Sequence, residues 1–433
     1  MNFEQALSFV YSRRKFAKSC SLERIETLLK RLGEPQKNLK TVHVLGTNGK
    51  GSVSSFLSSS LSAAGHKTGL FTSPFVSSFC ERIQIDGEYI PEDVFSKITE
   101  RVKEICDSSF SPEDGPTFFE FIFAVALVWF AESGCEFAVL EAGIGGRDDS
   151  TNVVEAPLVT VFTSISLDHM ALLGDTVQKI AESKCGAIKS GSTVVSFPRE
   201  TGGFDFCPQS EEACLVLERV CGEKGCSLVF PEMKRVKKLF ENENGTRALF
   251  GSRELSLRLS GEHQIANAAT ALTALLELQK LGTEICDEAI KSGFEKTFLP
   301  GRMEIVSKEP FILLDGGHNE GAARALEKYI REFLKGKKVT ALIGYMRDKD
   351  YKTALSILAP RFERIVFTRA DEKRGEEASV LQSAAEPFCK NIFLEEERLP
   401  AFEKALALTG EGEALVVCGS FYLVGEIRKK FLR

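Results

Sequence analysis

Residues 41–64 read TVHVLGTNGKGSVSSFLSSSLSAA. The first five of these residues form a short run that is largely apolar and β-branched, which predicts a buried parallel strand. The segment from Val53 to Ala64 is rich in Ser, Leu and Ala and stops at Gly65, which predicts a helix with a glycine C-cap. A glycine-rich turn, Gly46 to Ser52, joins the two elements. A strand, a glycine turn and a helix in this order are typical of a phosphate-binding loop.

The turn also carries the groups that a polyphosphate needs. Lys50 can neutralise phosphate charge, and the Ser52 hydroxyl can bind Mg²⁺. The spacing departs from the common G-x-x-x-x-G-K-[ST] form, because Gly51 lies between the lysine and the serine. A glycine turn without a ligand is the alternative, but the flanking strand and helix favour nucleotide binding. The candidate nucleotide-binding residues of the turn are Gly46, Thr47, Asn48, Gly49, Lys50, Gly51 and Ser52.

Length and charge limit the classes of protein to which the chain can belong. The 433 residues exceed what one core usually supports, so two or three domains are expected. The net charge of −6 argues against a nucleic-acid partner, which needs a basic face. The longest apolar run, Phe121 to Ala131, is too short for a membrane span, and no signal peptide is apparent. We therefore expect a cytoplasmic protein without a membrane partner.

Helices and strands alternate along most of the sequence, which indicates an α/β fold with mostly parallel sheets. The segment from Ser227 to Leu259, with a turn-like Glu243-Asn244-Gly245, predicts a small antiparallel excursion. The pattern restarts after Pro300-Gly301. We predict a large N-terminal P-loop-type domain (1–297) and a smaller C-terminal Rossmann-like domain (298–433). The predicted strands are Thr41–Leu45, Lys67–Phe71, Phe137–Glu141, Leu158–Phe162 and Thr193–Phe197, then Phe311–Asp315, Val339–Gly344, Arg364–Phe367, Asn391–Leu394 and Ala414–Cys418.

Several polar side chains follow predicted strands, where ligands bind in open α/β sheets. His169 and His318 each have a neighbouring aspartate and lie beyond strand ends, so we assign them to the site. Glu141 ends a strand and is a natural Mg²⁺ ligand, and the hydroxyl of Ser73 could reach the same pocket. From composition alone Lys184 is an ordinary helix lysine, because an ammonium group cannot ligate a metal.

Taken together, these segments resemble the folylpolyglutamate synthase/dihydrofolate synthase family, a branch of the Mur-type ATP-dependent amide ligases. The resemblance covers nearly the whole chain. Besides the loop at 46–52, the motifs that carry it are Leu22–Ile25, Leu32–Gln36, Thr72–Pro74, Glu81–Ile83, Glu141–Arg147, Asp149–Asn152, Leu167–His169, Gly261–Gln264, Leu299–Glu304, Asp315–Asn319, Asp348–Asp350 and Cys418–Leu423.

The resemblance implies a reaction in which ATP phosphorylates a carboxylate and the amine of L-glutamate then displaces phosphate. The carboxylate would be the γ-carboxyl of a reduced folate or the benzoate carboxyl of dihydropteroate. Phosphorylation is needed because a carboxylate is a poor electrophile. The γ-phosphate and the carboxylate are both anions, so Mg²⁺ and Lys50 would have to screen their repulsion. We expect ATP and Mg²⁺ as cofactors and a monomeric enzyme.

The resemblance also implies roles for individual residues. Lys50, Lys184 and His318 would be catalytic, with Lys184 matching a lysine that is carbamylated in this family and so becomes an anionic oxygen ligand. Ser73 and Glu141 would hold one Mg²⁺, and His169 together with Lys184 a second. The remaining matches are Asn267, Arg302 and Asp315 for the nucleotide, and Thr117, Phe118, Glu120 and Arg147 for the pterin-side wall.

Two departures from the family pattern make the acceptor uncertain: Phe75 follows Ser-Pro where His is frequent, and Ser183 replaces a frequent Glu. Two alternatives differ in what they require. A cell-wall Mur ligase needs a further N-terminal domain, for which the residues before Thr41 leave no room. A nucleotide-binding regulator would use the phosphate loop but has no need of Lys184, His318 or a second α/β domain.

Overall fold

The computed structural model describes residues 1–15, 21–111, 113–243 and 245–432. The helices are α1 Phe3–Ser12, α2 Glu23–Arg31, α3 Lys50–Ala63, α4 Glu92–Ser109, α5 Phe118–Glu132, α6 Met170–Leu173, α7 Val177–Cys185, α8 Glu211–Lys224, α9 Glu262–Lys280, α10 Asp287–Lys296, α11 Glu320–Phe333, α12 Tyr351–Leu358, α13 Ala378–Ala385, α14 Arg398–Leu408 and α15 Phe421–Arg428. The strands are β1 Lys40–Leu45, β2 Thr68–Phe71, β3 Ile83–Ile85, β4 Glu88–Tyr89, β5 Phe137–Glu141, β6 Val159–Phe162, β7 Thr193–Ser196, β8 Ser227–Val229, β9 Val236–Asn242, β10 Gly245–Phe250, β11 Arg253–Leu257, β12 Glu304–Lys308, β13 Phe311–Asp315, β14 Val339–Ile343, β15 Arg364–Phe367, β16 Ile392–Leu394 and β17 Ala414–Cys418.

The first sheet has the strand order β4-β3-β2-β5-β1-β6-β7-β8 across the described ranges. Six neighbouring strands of this sheet run parallel to one another: β2, β5, β1, β6, β7 and β8. Strands β3 and β4 extend the β2 edge and pair antiparallel. In β1 the residues after Lys40 are all buried, because α3 and α9 cover one face of the sheet and α5 the other. The register sets Val44 beside Glu141, so the turn after β1 and the carboxylate that ends β5 lie at the same sheet edge.

The second sheet has the order β12-β13-β17-β14-β15-β16 within the part of the chain that the structure describes. Its strands are parallel except for β12, which pairs antiparallel with β13. Asp315 ends β13 beside Cys418 of β17, and Asn319 in the loop after β13 donates to Asn48 of the turn that follows β1. The α/β class with parallel sheets is confirmed, whereas the division at residue 298 stays a prediction.

The structure corrects three details of the sequence prediction. The helix after the glycine turn begins at Lys50, not at Val53. Residues Ser227–Val229 pair parallel with β7 as the edge of the first sheet, so the antiparallel excursion is limited to β9, β10 and β11. Strands β3, β4 and β12 are additional. Asn244 of the predicted turn lies outside the described residues. The chain has no helix, in the ranges described, that is long and apolar enough to cross a membrane.

Candidate active site

The glycine turn runs from the carboxyl end of β1 to the first turn of α3. Gly49 caps α3 with a φ of 88°, and its missing side chain leaves room for Asn267: a Cβ there would lie 2.3 Å from the Asn267 Oδ1. The Lys50 ammonium folds back and donates to the carbonyls of Gly46 at 3.3 Å and Thr47 at 3.2 Å. The turn therefore combines free helix N–H groups with a cation, which favours a phosphate.

Lys184 brings a second cation to the same turn. Its side chain is buried, with 4% of its surface exposed, and its Nζ donates to the Gly46 carbonyl at 2.7 Å. Burial, with the nearby Lys50 charge, lowers the pKa of Lys184 to about 7. Near neutral pH a large fraction of this amine is therefore uncharged, and an uncharged amine is a nucleophile.

Glu141 is a buried carboxylate beside these cations. It accepts a hydrogen bond from the Ser73 backbone N–H at 3.1 Å, and no ion pair of Glu141 occurs among the described residues. Burial raises the pKa of Glu141, while Lys50, Arg302 and Arg82 oppose that rise. A buried carboxylate with so few partners is suited to a cation that arrives with the substrate.

His169 lies on the other side of the turn, at the start of α6. It has a left-handed φ of 50°, and its backbone N–H donates to the Asp168 carboxylate at 2.8 Å. Asp168 in turn forms an ion pair at 3.2 Å with Lys349, which belongs to the part of the chain around the second sheet. Burial lowers the pKa of His169, so its imidazole is neutral and able to act as a ligand.

The second sheet contributes an arginine, an aspartate and a histidine. The Arg302 guanidinium lies 4.3 Å from the centre of the Phe421 ring, and Asp315 accepts from the N–H groups of Met303 and Gly317. His318 Nδ1 lies 3.2 Å from the Gly316 carbonyl. A carbonyl only accepts, so Nδ1 carries the proton and Nε2 has a free lone pair. Burial lowers the pKa of His318 to about 4.

A cavity of about 980 Å³ joins the glycine turn to the second sheet. A volume of this size is typical of a nucleotide or another small-molecule site. Of the ten predicted nucleotide-binding residues, seven line it: Asn48, Gly49, Gly51, Ser52, Asn267, Arg302 and Asp315. The cavity wall continues along α9 and α11, where Lys328 pairs with Glu262 at 3.0 Å.

The residues predicted for the pterin-side wall lie at the start of α5. Thr117 caps this helix, and the Glu120 carboxylate accepts from the Thr117 N–H at 2.7 Å and pairs with Arg24 at 3.1 Å. Phe118 stacks on Tyr11 with ring centres 5.6 Å apart. Arg147 differs from these residues, because it is exposed on the loop after β5.

Three contacts were not predicted from the sequence. Asn319 donates to Asn48 Oδ1 at 2.8 Å and Lys349 pairs with Asp168, so both contacts join the glycine-turn side to the second sheet. Arg82 is buried among aromatic rings. The motifs Asp315–Asn319, Asp348–Asp350 and Glu81–Ile83 contain these residues, but only the fold shows what each one contacts.

We expect Gly46→Ala to destabilise the protein by about 3 kcal/mol, from positive-φ strain together with a steric clash. Gly46 has a φ of 142°, and a Cβ there would lie 1.9 Å from Thr163 Oγ1, which is itself hydrogen-bonded to the Leu45 carbonyl. Gly65→Ala is the matched control, because Gly65 also has a positive φ, 91°, but nothing within 4 Å of the added carbon. Urea denaturation should show a much larger loss for Gly46→Ala, and equal losses would contradict the clash.

Two families of known domains match the chain. Residues 44–275 match the Mur ligase middle domain, and residues 301–421 match the Mur ligase glutamate ligase domain. The chain is 33% identical to the dihydrofolate synthase/folylpolyglutamate synthase of Bacillus subtilis (strain 168), with 99% of each chain covered.

Solved structures agree with these matches. The folylpolyglutamate synthase of Thermotoga maritima is 32% identical, with a TM-score of 0.83 over 99% of this chain and 96% of that one. The Escherichia coli FolC protein in complex with DHPP and ADP is 28% identical, with a TM-score of 0.84 over 99% and 97%. From the full-length identity and the two domain matches, the chain belongs to the folylpolyglutamate synthase/dihydrofolate synthase family of Mur-type ATP-dependent ligases.

Proposed function

We propose that the protein uses ATP to join L-glutamate to the carboxyl group of a folate, through an acyl-phosphate intermediate. The observation that carries this proposal is the convergence of two cations, Lys50 and Arg302, on the space around Gly46 and Glu141, beside the nucleotide-sized cavity. Two anions must meet in this reaction, and fixed cations in a poorly solvated site lower their repulsion.

In the first step, a carboxylate oxygen of the folate attacks the γ-phosphorus of ATP, and the bond from that phosphorus to the bridging oxygen of ADP breaks. In the second step, the amine of glutamate attacks the acyl carbon, and inorganic phosphate leaves. His318 presents its free Nε2 lone pair, which can accept an N–H of the incoming amine. Asn48–Asn319 and Asp168–Lys349 hold the two sides of the site together, which keeps water from the acyl phosphate.

The residues around the loop fit Mg²⁺. Among the described residues no group of three or more His, Cys, Asp or Glu could hold a metal by itself. A Mg²⁺–nucleotide site does not need such a group, because Mg²⁺ keeps several waters and takes one or two protein ligands together with phosphate oxygens. We propose that Glu141 and Ser73 hold one ion and that His169 with a modified Lys184 holds a second. Bound Mg²⁺ would neutralise the charge that develops on the transferred phosphoryl group.

We propose that the modification of Lys184 is a carbamate. The uncharged amine attacks the carbon of CO₂, forms an N–C bond and releases one proton. The nitrogen keeps one hydrogen, so the contact of Nζ with the Gly46 carbonyl can persist after the change. The buried amine becomes an anionic oxygen ligand near His169, which is close enough for the charge of unmodified Lys184 to lower the pKa of its imidazole.

On the acceptor side, we propose that Phe118 packs against the pterin and that Thr117 and Glu120 hold Phe118 in place at the start of α5. Arg147 would close this wall from the neighbouring loop. We propose that Asn267, Arg302 and Asp315 contact the nucleotide from the far side of the cavity. We further propose a monomeric, cytoplasmic enzyme.

The reaction is tested by phosphate release from ATP and Mg²⁺ in the presence of tetrahydrofolate or dihydropteroate, each with and without glutamate. A ligase releases phosphate at the full rate only with both an acceptor and glutamate. Slow hydrolysis that is independent of both substrates would instead indicate a regulatory nucleotide-binding protein. Comparison of the two acceptors shows whether folates, dihydropteroate or both are used.

We expect Lys50→Ala to lower kcat/KM for ATP about 100-fold, because it removes a charge-assisted contact to the polyphosphate. Lys40→Ala is the matched control. Lys40 lies at the opposite end of β1 and pairs with Glu136 at 2.9 Å, so its loss should leave ATP kinetics unchanged. Unaltered ATP kinetics in the Lys50 variant would argue against the assignment of the loop.

A further inference from the structure

Arg82 is a buried cation with no anionic partner among the described residues. Its side chain lies at the end of the short helical turn Phe79–Arg82 and is 8% exposed. Its Nε has no hydrogen-bond partner, and its guanidinium forms no ion pair in the described part of the chain. Charged groups are rarely buried unless they are paired, because burial without a partner costs several kcal/mol. A guanidinium in this state is suited to an anion that the protein does not itself supply.

The neighbouring carboxylate cannot serve as the partner. Glu81 precedes Arg82 in the chain, but its two oxygens accept the backbone N–H groups of Val76, Ser77 and Ser78 at 2.7 to 2.9 Å. Through these three hydrogen bonds the Glu81 carboxylate holds the loop after Pro74 in place. Glu81 is thus committed to the backbone, and Arg82 is left without a counter-ion.

Aromatic rings surround the guanidinium. Its central carbon lies 5.2 Å from the ring centre of Phe75, 5.8 Å from Phe79 and 5.6 Å from Phe118. Ring faces attract a cation but offer no strong hydrogen-bond acceptor, so the N–H donors remain available. Phe75, in the loop after Pro74, adds one of these faces. The rings also exclude water, which strengthens any charge pair formed there.

The position of Arg82 relates it to the reaction. On one side it contacts Phe118, the proposed pterin wall. On the other side, the Arg82 charge is close enough to Glu141 to lower the pKa of that carboxyl, and Tyr422 of α15 is close enough to interact electrostatically with Arg82. The anion that Arg82 binds must therefore lie between the pterin ring and the carboxyl group that reacts.

A folate carries such an anion, and dihydropteroate does not. The last glutamyl group of a folate has two carboxylates: the γ-carboxylate reacts, and the α-carboxylate stays charged a few bonds away. Dihydropteroate has a single carboxylate, and that group is the one activated. We propose that Arg82 binds the α-carboxylate of the terminal glutamyl group, and that this contact selects folates over dihydropteroate. This inference rests on the proposed function.

The first test compares acceptors. With ATP, Mg²⁺ and glutamate saturating, Arg82→Met should lower kcat/KM for tetrahydrofolate about 100-fold, mainly through KM, and change the value for dihydropteroate less than about 3-fold. Arg82→Lys keeps the charge but loses the planar fork, so a loss of about 10-fold is expected. Arg13→Met is the matched control, because Arg13 also lies on phenyl rings, 5.0 Å from Phe9, with an unpartnered Nε. It should not change the ratio of the two acceptors.

The second test changes the substrate and does not depend on dihydropteroate being accepted. A tetrahydrofolate analogue with an α-carboxamide and a free γ-carboxylate should be used about 100-fold less well by the wild-type enzyme, but no worse than tetrahydrofolate by Arg82→Met. Equal losses on the two enzymes would overturn the proposal. So would an equal loss for both acceptors, or a higher KM for glutamate with either one. Failure of the ligase function itself would look different, since the wild type would then release no acceptor-dependent phosphate.

Discussion

Replacing Lys184 by alanine is expected to lower the turnover number about 1,000-fold, because it removes the proposed carbamate ligand of the second Mg²⁺. The side chain is buried, and Nζ lies 2.7 Å from the Gly46 carbonyl. Lys189→Ala is the matched control. Lys189 is five residues further along, donates to the Asn152 carbonyl at 3.0 Å and has a pKa that burial also lowers. The turnover number of Lys189→Ala should stay within about 3-fold of the wild-type value.

The carbamate has its own readouts. Protein equilibrated with ¹³C-labelled CO₂ should give a carbamate resonance in the wild type and in Lys189→Ala, but not in Lys184→Ala. Because the pKa of Lys184 is lowered to about 7, the reactive amine becomes more abundant as the pH rises from 6 to 8. The carbamate signal at a fixed CO₂ concentration should therefore rise over this range. Near-normal turnover of Lys184→Ala, or a resonance that persists in it, would rule out the carbamate.

The sequence predicts the parallel sheets well because each buried strand is a short apolar run between turn residues. Phe137–Glu141 and Phe311–Asp315 match the observed strands β5 and β13. The start of α3 was misplaced for a physical reason: Gly51 lies inside the first turn of the helix, where a glycine is disfavoured by its entropy but leaves space beside the Glu141 carboxylate. Ser227–Val229 was misplaced because nothing in a three-residue run shows with which strand it pairs.

The prediction of the site is limited because a local sequence pattern does not show which distant residues come into contact. Glu141 and His169 could be proposed as site residues because Glu141 ends a strand and His169 lies beyond one, at the edge where ligands bind. The Asp168–Lys349 pair joins residues 181 positions apart, and such contacts depend on how the two sheets face each other. For Glu120 the resemblance implied a place in the pterin-side wall, and that role stays a prediction; the structure shows its carboxylate paired with Arg24 and accepting from the Thr117 N–H. Arg82 is the converse case, since only the structure shows that it has no ion-pair partner in the described ranges of the chain.

Replacing Glu141 by glutamine should be about as damaging as the loss of Lys184, with a fall in kcat of about 1,000-fold. The change keeps the size of the side chain and leaves a carbonyl oxygen to accept from the Ser73 N–H. It removes the negative charge that faces Lys50, Arg302 and Arg82, and that charge is what a first Mg²⁺ would bind. The apparent KM for Mg²⁺ should therefore rise at fixed ATP.

Glu136→Gln is the matched control for Glu141→Gln. It shows whether the loss of any carboxylate near β5 has the same effect on kcat and on the Mg²⁺ dependence. Glu136 lies at the other end of the strand, on the surface, paired with Lys40 and His66. Its replacement should change neither kcat nor the Mg²⁺ dependence, because exposed ion pairs contribute little to stability and this one is remote from the loop. If Glu141→Gln kept the Mg²⁺ dependence of the wild type, the carboxylate would be a structural partner of Ser73 and the first metal ion would have to bind elsewhere.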